Sequence, residues 1–188
     1  MSDVDELLDV VDSVVAALRR HEIPYFITGS FASSVHGEFR ATNNIDIVAD
    51  LDLLRLDAWL TDLSATFLTD LSQARTALSQ TTSFNLIHST TFLKVDIFPC
   101  ESEFNREATR RALTIALPGA RETLRVSTVE DVILSKLWWF RLGGETSEIQ
   151  QRDVRRLVEL NRGTLQLSHL KKWSHTLQVA DLLERFLT

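Results

Sequence analysis

The stretch Ile27-Thr28-Gly29-Ser30-Phe31-Ala32-Ser33-Ser34-Val35-His36-Gly37-Glu38-Phe39-Arg40-Ala41-Thr42-Asn43-Asn44-Ile45-Asp46-Ile47-Val48 decides how the rest of the chain is read. It runs from an apolar strand into Gly29-Ser30, a short helix, a turn at Gly37, Arg40 and a second strand. A strand that ends in Gly-Ser and opens a helix aims backbone N–H groups and a hydroxyl at one spot. The first amides of a helix lack partners within it and its dipole is positive there, so the spot suits a phosphate. On the second strand, side chains two apart share a face. Asn44 and Asp46 therefore project together, while Ile45 and Ile47 turn toward a core. One element offers a phosphate cradle, the other oxygen ligands suited to Mg2+.

Outward from this stretch, the periodicity predicts a helix over 3–21, with Leu7, Leu8, Val11, Val14, Val15 and Leu18 on one face. Its acidic first turn and its Arg19-Arg20 end both agree with the helix dipole. Pro24 breaks the pattern before a strand over 25–28. A second amphipathic helix follows Asp52, and a weaker one spans about 70–80 with Asp70 as its N-cap. Residues 83–88 and 92–99 read as a hairpin around Ser89-Thr90-Thr91. In its second strand Lys94 and Asp96 share a face. A partly buried Asp on an apolar strand needs a partner, and a metal or Lys94 would serve.

Further along, 101–111 is expected to be helical, and 113–117 and 124–127 to be strands around Pro118-Gly119. Thr128 with Asp131 approximates a capping box for a helix from Val129 to about Leu142, stopped at Gly143-Gly144. That helix carries Lys136 in an apolar run, where a lysine is costly unless something anionic meets it. Trp138 and Trp139 in the same run read as core residues rather than as a base-stacking platform. The next helix, about 147–160, carries Asp153, for which Arg156 three residues on is the bland partner. Arg152, Arg155 and Arg156 read as a solvated face. His36 and His88 read as structural, since neither has a His or Cys at metal-ligand spacing. Two short helices are expected over 164–188, and no internal repeat or linker is visible.

The signature of hydrophobic residue, Gly29-Ser30, a spacer over 31–43 and then a carboxylate-bearing strand resembles that of the nucleotidyltransferase superfamily. The wording Gly-Ser-x-Ala-Ser, Gly37, Arg40-Ala-Thr-Asn and Ile-Asp-Ile-Val is similar to small bacterial AbiEii-like nucleotidyltransferases, toxins of type IV toxin–antitoxin systems. The resemblance covers roughly 22–160. It implies an α+β fold in which helices flank a mixed sheet. A nucleotidyltransferase core over 1–127 would be completed by a C-terminal helical segment over 128–188. It implies transfer of a nucleoside monophosphate from an NTP, with Mg2+ or Mn2+ as cofactor, Asp46, Asp96, Lys136 and Asp153 as catalytic residues, and Gly29, Ser30, Arg40 and Lys94 binding the nucleotide. Arg40 either binds phosphate or braces Asp46. The metal positions would be 44, 46 and 96, and here the sequence departs from the family: the first carboxylate is replaced by Asn44. Its carbonyl still ligates, but one negative charge is lost. The implied acceptor is RNA, tRNA ends among them, and a cognate antitoxin is the implied partner. A second reading keeps the fold as a silent binding module for nucleotide, RNA or a protein. A third has Asn44 as an introduced substitution that silences an active enzyme.

Composition bounds these readings. A chain of 188 residues with 44% hydrophobic and 24% charged residues suffices for one globular core, which excludes extended disorder. A net charge of −6 argues against a broad nucleic-acid-coating surface, though a local basic groove remains open. Lone Cys100 excludes an intramolecular disulfide and a Cys-cluster metal site. The acidic start lacks the basic and apolar regions of a signal peptide, and no apolar run is long enough to span a bilayer, so a cytoplasmic location is expected.

Overall fold

The computed structural model describes residues 3–37 and 42–187. Chain order is α1 (Asp3–Arg20), β1 (Tyr25–Thr28), α2 (Gly29–His36), β2 (Asn44–Ala49), α3 (Leu53–Leu63), β3 (Phe67–Leu68), α4 (Leu71–Ser79), β4 (Phe84–His88) and β5 (Lys94–Pro99). It continues with α5 (Glu103–Arg111), β6 (Leu113–Ile115), β7 (Leu124–Val126), α6 (Val129–Leu142), α7 (Glu148–Asn161), α8 (Leu167–Thr176) and α9 (Ala180–Leu187). The expected α+β architecture is present: one seven-stranded mixed sheet in the order β3-β4-β5-β2-β1-β7-β6, flanked by helices, with helices at the C-terminal end.

Local chemistry sets the helix boundaries. Asp52, Asp70, Ser102, Thr128 and Ser147 each accept a backbone N–H of the following first turn, the N-cap interaction expected of short polar side chains. The two-residue strand β3 is an addition to the expected elements. It pairs antiparallel with β4, matching Phe67 to His88 and Leu68 to Ile87.

Register decides where the polar strand residues go. β2 pairs antiparallel with β1 and parallel with β5, so Asp46 stands beside both Thr28 and Asp96. With side chains alternating, Thr28, Asp46 and Asp96 share one face of the sheet, and Phe26, Val48 and Phe98 form the adjacent row on that face. The opposite face carries Ile27, Ile45, Ile47, Val95 and Ile97, all in the main apolar cluster with α1 and α3. Phe26 and Val48 instead belong to a small second cluster with Cys100, Ala108 and Ala112, against which Phe98 packs. Acids thus occupy one row of a face whose next row is apolar.

Candidate active site

The site is built from β1, β2 and β5 below and α2, α6 and α7 around them. Gly29 opens α2 with φ +64°, and a Cβ there would lie 1.8 Å from Asp46 Oδ2. Only glycine relieves both constraints, the left-handed backbone and the close approach. The N-cap of α2, Thr28, makes no side-chain capping bond, and its buried Oγ1 has no hydrogen-bond partner among the described residues. The first turn of α2, where it abuts Asp46, is therefore not capped by its N-cap side chain.

Asp46, Asp96 and Asn44 converge. Asn44 Nδ2 donates to Asp46 Oδ1 at 3.0 Å and to Asp96 Oδ2 at 2.9 Å. Lys94 Nζ lies 2.8 Å from Asp96 Oδ1, with its own side chain still 45% exposed. Burial first, and then the Asp96 carboxylate, push Asp46 up to about 6, against the opposing pull of Lys136, Lys94 and the Asn44 hydrogen bond.

Across the cleft, Lys136 Nζ of α6 donates to Asp153 Oδ2 of α7 at 2.9 Å, and both side chains are largely buried. Lysine in the apolar run of α6 thus meets the anion that burial requires. Of the sequence-derived candidates, Gly29, Ser30, Asp46 and Lys136 line one cavity of about 960 Å³. Asn44 and Asp96 join it through their bonds to Asp46, Lys94 through Asp96, and Asp153 through Lys136. Arg40 lies outside the described residues.

One expectation is corrected. Trp138 and Trp139 are not core residues: they are 37% and 46% exposed and line the cavity. Val132, Ser135, Lys136 and Trp139 follow the i, i+3, i+4, i+7 stripe of α6 that faces the cavity, while Ile133, Leu134, Leu137 and Phe140 form a second stripe in the core. A helix apolar on two stripes looks core-like in sequence; here one stripe paves a cleft. Gln150, which the sequence reading passed over, also lines the cavity, and its buried Oε1 has no partner among the described residues. Its three-residue spacing from Asp153 on α7 was the available signal. His36 and His88 are hydrogen-bonded to the Ser127 carbonyl and the Thr91 hydroxyl.

No protein-family model and no curated protein matches the chain in sequence. Solved structures do match in shape. The antibiotic-resistance factor ANT(2'')-Ia in solution superposes with a TM-score of 0.60 at 15% identity, covering 96% of each chain. ANT(2'')-Ia in complex with adenylyl-2''-tobramycin gives 0.59 at 12% identity, covering 92% of this chain and 97% of that one. A nucleotidyltransferase-like protein from Paracoccidioides brasiliensis gives 0.57 at 17% identity, covering 94% of this chain and 92% of its own. The chain has the nucleotidyltransferase fold.

For a nucleotidyltransferase fold the implied cofactor is a divalent cation, and the residues present can be tested against it. Among the described residues no three His, Cys, Asp or Glu side chains are grouped as a metal set. The donors at hand are two carboxylates and the Asn44 amide, whose buried Oδ1 has no hydrogen-bond partner among the described residues. An amide NH2 between two carboxylates is the orientation that their lone pairs dictate, because Oδ1 there would face acceptors only. A half-turn of the amide brings Oδ1 to the position of Nδ2, and three oxygens then converge. That set fits a hard cation in kind, one charge short of three carboxylates.

Proposed function

We propose that this chain transfers a nucleoside monophosphate from an NTP to an acceptor hydroxyl, releasing pyrophosphate. The observation that carries the reading is the in-register pairing of Asp46 with Asp96, with Gly29 of the α2 cradle in contact with Asp46. Two acids side by side at a helix start form a site that favours a cation together with phosphate.

In this reading the N-terminal amides of α2 and Ser30 hold the outer phosphates. Lys136, positioned by Asp153, offsets the charge that develops as the bond between the α- and β-phosphates breaks. Asp96 takes the proton of the attacking hydroxyl, with Lys94 beside it as counter-charge. A bound Mg2+ would be held by Asp46, Asp96 and the Asn44 carbonyl, and would supply Lewis-acid stabilisation of the phosphoryl oxygens. The acceptor we assign is RNA, with tRNA ends foremost, and the partner a cognate antitoxin; both follow from the AbiEii-like wording of residues 29–48. A second reading, a silent nucleotide- or RNA-binding module, is favoured by one observation: the Asn44 amide already bonds both acids.

The test supplies α-labelled NTPs singly, with Mg2+ or Mn2+ and total RNA, to the chain, to Asn44→Asp and to Asp46→Asn. The reading expects label in RNA from the chain or from Asn44→Asp, and none from Asp46→Asn. Label in none of the three assigns the fold to binding alone.

A further inference from the structure

The cavity has a second half that phosphate and cation chemistry leaves unused. Beyond the acid row, its floor is Phe26, Val48 and Phe98, and its wall is the exposed pair Trp138 and Trp139. The rings form a run: Phe98 to Trp139 at 6.1 Å between centroids, and Trp139 to Trp138 at 4.9 Å, edge to face. Two tryptophans left 37% and 46% exposed at a cavity wall forgo burial that α6 grants its other apolar stripe. Gln150 lines the same space, and its buried Oε1 is an acceptor with no donor among the described residues. Among the described residues the charged lining is Asp46, Glu101 and Lys136, two acids against one base and no match for a polycation.

We propose that this half of the cleft is a stacking subsite for a planar heteroaromatic ring bearing an N–H donor, a nucleobase by chemical class, with Trp139 as the platform and Gln150 as the polar contact. Successive strand residues on one face are about 6.6 Å apart, so the Phe98 row sits about one ribose away from the Asp96 row. Base–aromatic stacking tolerates every base, and the Gln150 amide adds a preference for rings with an exocyclic amine. The ring belongs either to the NTP donor or to an RNA acceptor. The proposal deepens the transfer reading but concerns binding alone.

The experiment is a tryptophan-fluorescence titration in metal-free buffer with adenosine, cytidine, ATP and short oligoadenylate; ribose 5-phosphate and tobramycin serve as base-free and polycationic controls. Trp59 and Trp173 are buried, so the signal reports on Trp138 and Trp139. Saturable quenching by the nucleosides and not by the controls is expected, about tenfold weaker in Trp139→Ala and within a few-fold of the parent in Trp139→Phe. Circular dichroism confirms folding of both variants, and Trp139→Phe keeps the comparison alive if the alanine variant does not fold. Oligoadenylate that adds to an ATP-saturated protein marks the acceptor's base; oligoadenylate excluded by ATP marks the donor's. Absence of nucleoside quenching, equal quenching in Trp139→Ala, or quenching by tobramycin alone overturns the subsite. Asp46→Asn should keep the quenching while losing transfer, so failure of the subsite and failure of the enzyme reading are told apart.

Discussion

Gly29 and Asp46 are bound to each other by space. A left-handed backbone costs an L-residue roughly 1–2 kcal/mol, and here a Cβ would also strike the Asp46 carboxylate at 1.8 Å. Gly29→Ala is expected to destabilise the protein by at least about 2 kcal/mol in urea unfolding, since Asp46 must move as well. Asp46 itself predicts a pH dependence. Its folded value of about 6 stands above the 3.8 of a free carboxyl, so the folded state binds the proton more tightly. Its contribution is fully favourable below about pH 4 and is lost as pH rises through 6. Metal-free protein should lose about 2–3 kcal/mol relative to Asp46→Asn between pH 4 and 7, measured by denaturant midpoints at each pH. A flat difference across that window would mean that Asp46 is better solvated than its position suggests. Asn44 was legible in sequence as a departure from the carboxylate pattern. That its amide ties both acids together was not, because Asp96 lies 52 residues away and only register joins them.

At the scale of elements, capping and periodicity predicted most helices near their observed limits: Asp70 and Thr128 cap α4 and α6 as their side-chain chemistry dictates. Strand β3 escaped because two residues carry no period, and its pairing with β4 is a tertiary fact. The tryptophans of α6 were misread for a related reason. Apolar periodicity along one helix cannot distinguish a stripe packed on the sheet from a stripe paving a cavity. The α6–α7 contact yields a prediction of its own. Lys136 and Asp153 are paired at 2.9 Å and largely out of water, so removing Lys136 takes from Asp153 a buried counter-charge. Lys136→Met should cost about 3 kcal/mol of stability, while Lys136→Met with Asp153→Leu should cost clearly less, a double-mutant cycle read by thermal and urea unfolding. Equal costs would show that the pair is solvated in practice.

The whole molecule places its acids by topology. Putting β2 between an antiparallel β1 and a parallel β5 gathers residues 28, 46 and 96 into one row, and α6 then brings Lys136 over it. No described helix is long and apolar enough to cross a membrane. The α+β class and the candidate acids were readable because hydrophobic alternation and a short signature encode them locally. The cavity was not readable, because it is a space between elements and no single segment encodes it. Among these features Asn44 bears most on the proposed transfer, since its amide bonds both acids that would hold the cation. The measurement that tests this most directly is Mn2+ binding, followed by electron paramagnetic resonance and calorimetry, to the chain and to Asn44→Asp at pH 7.5. The account predicts at least tenfold tighter binding by Asn44→Asp, about 1.4 kcal/mol or more. Equal affinities, or no binding by either protein, would contradict it.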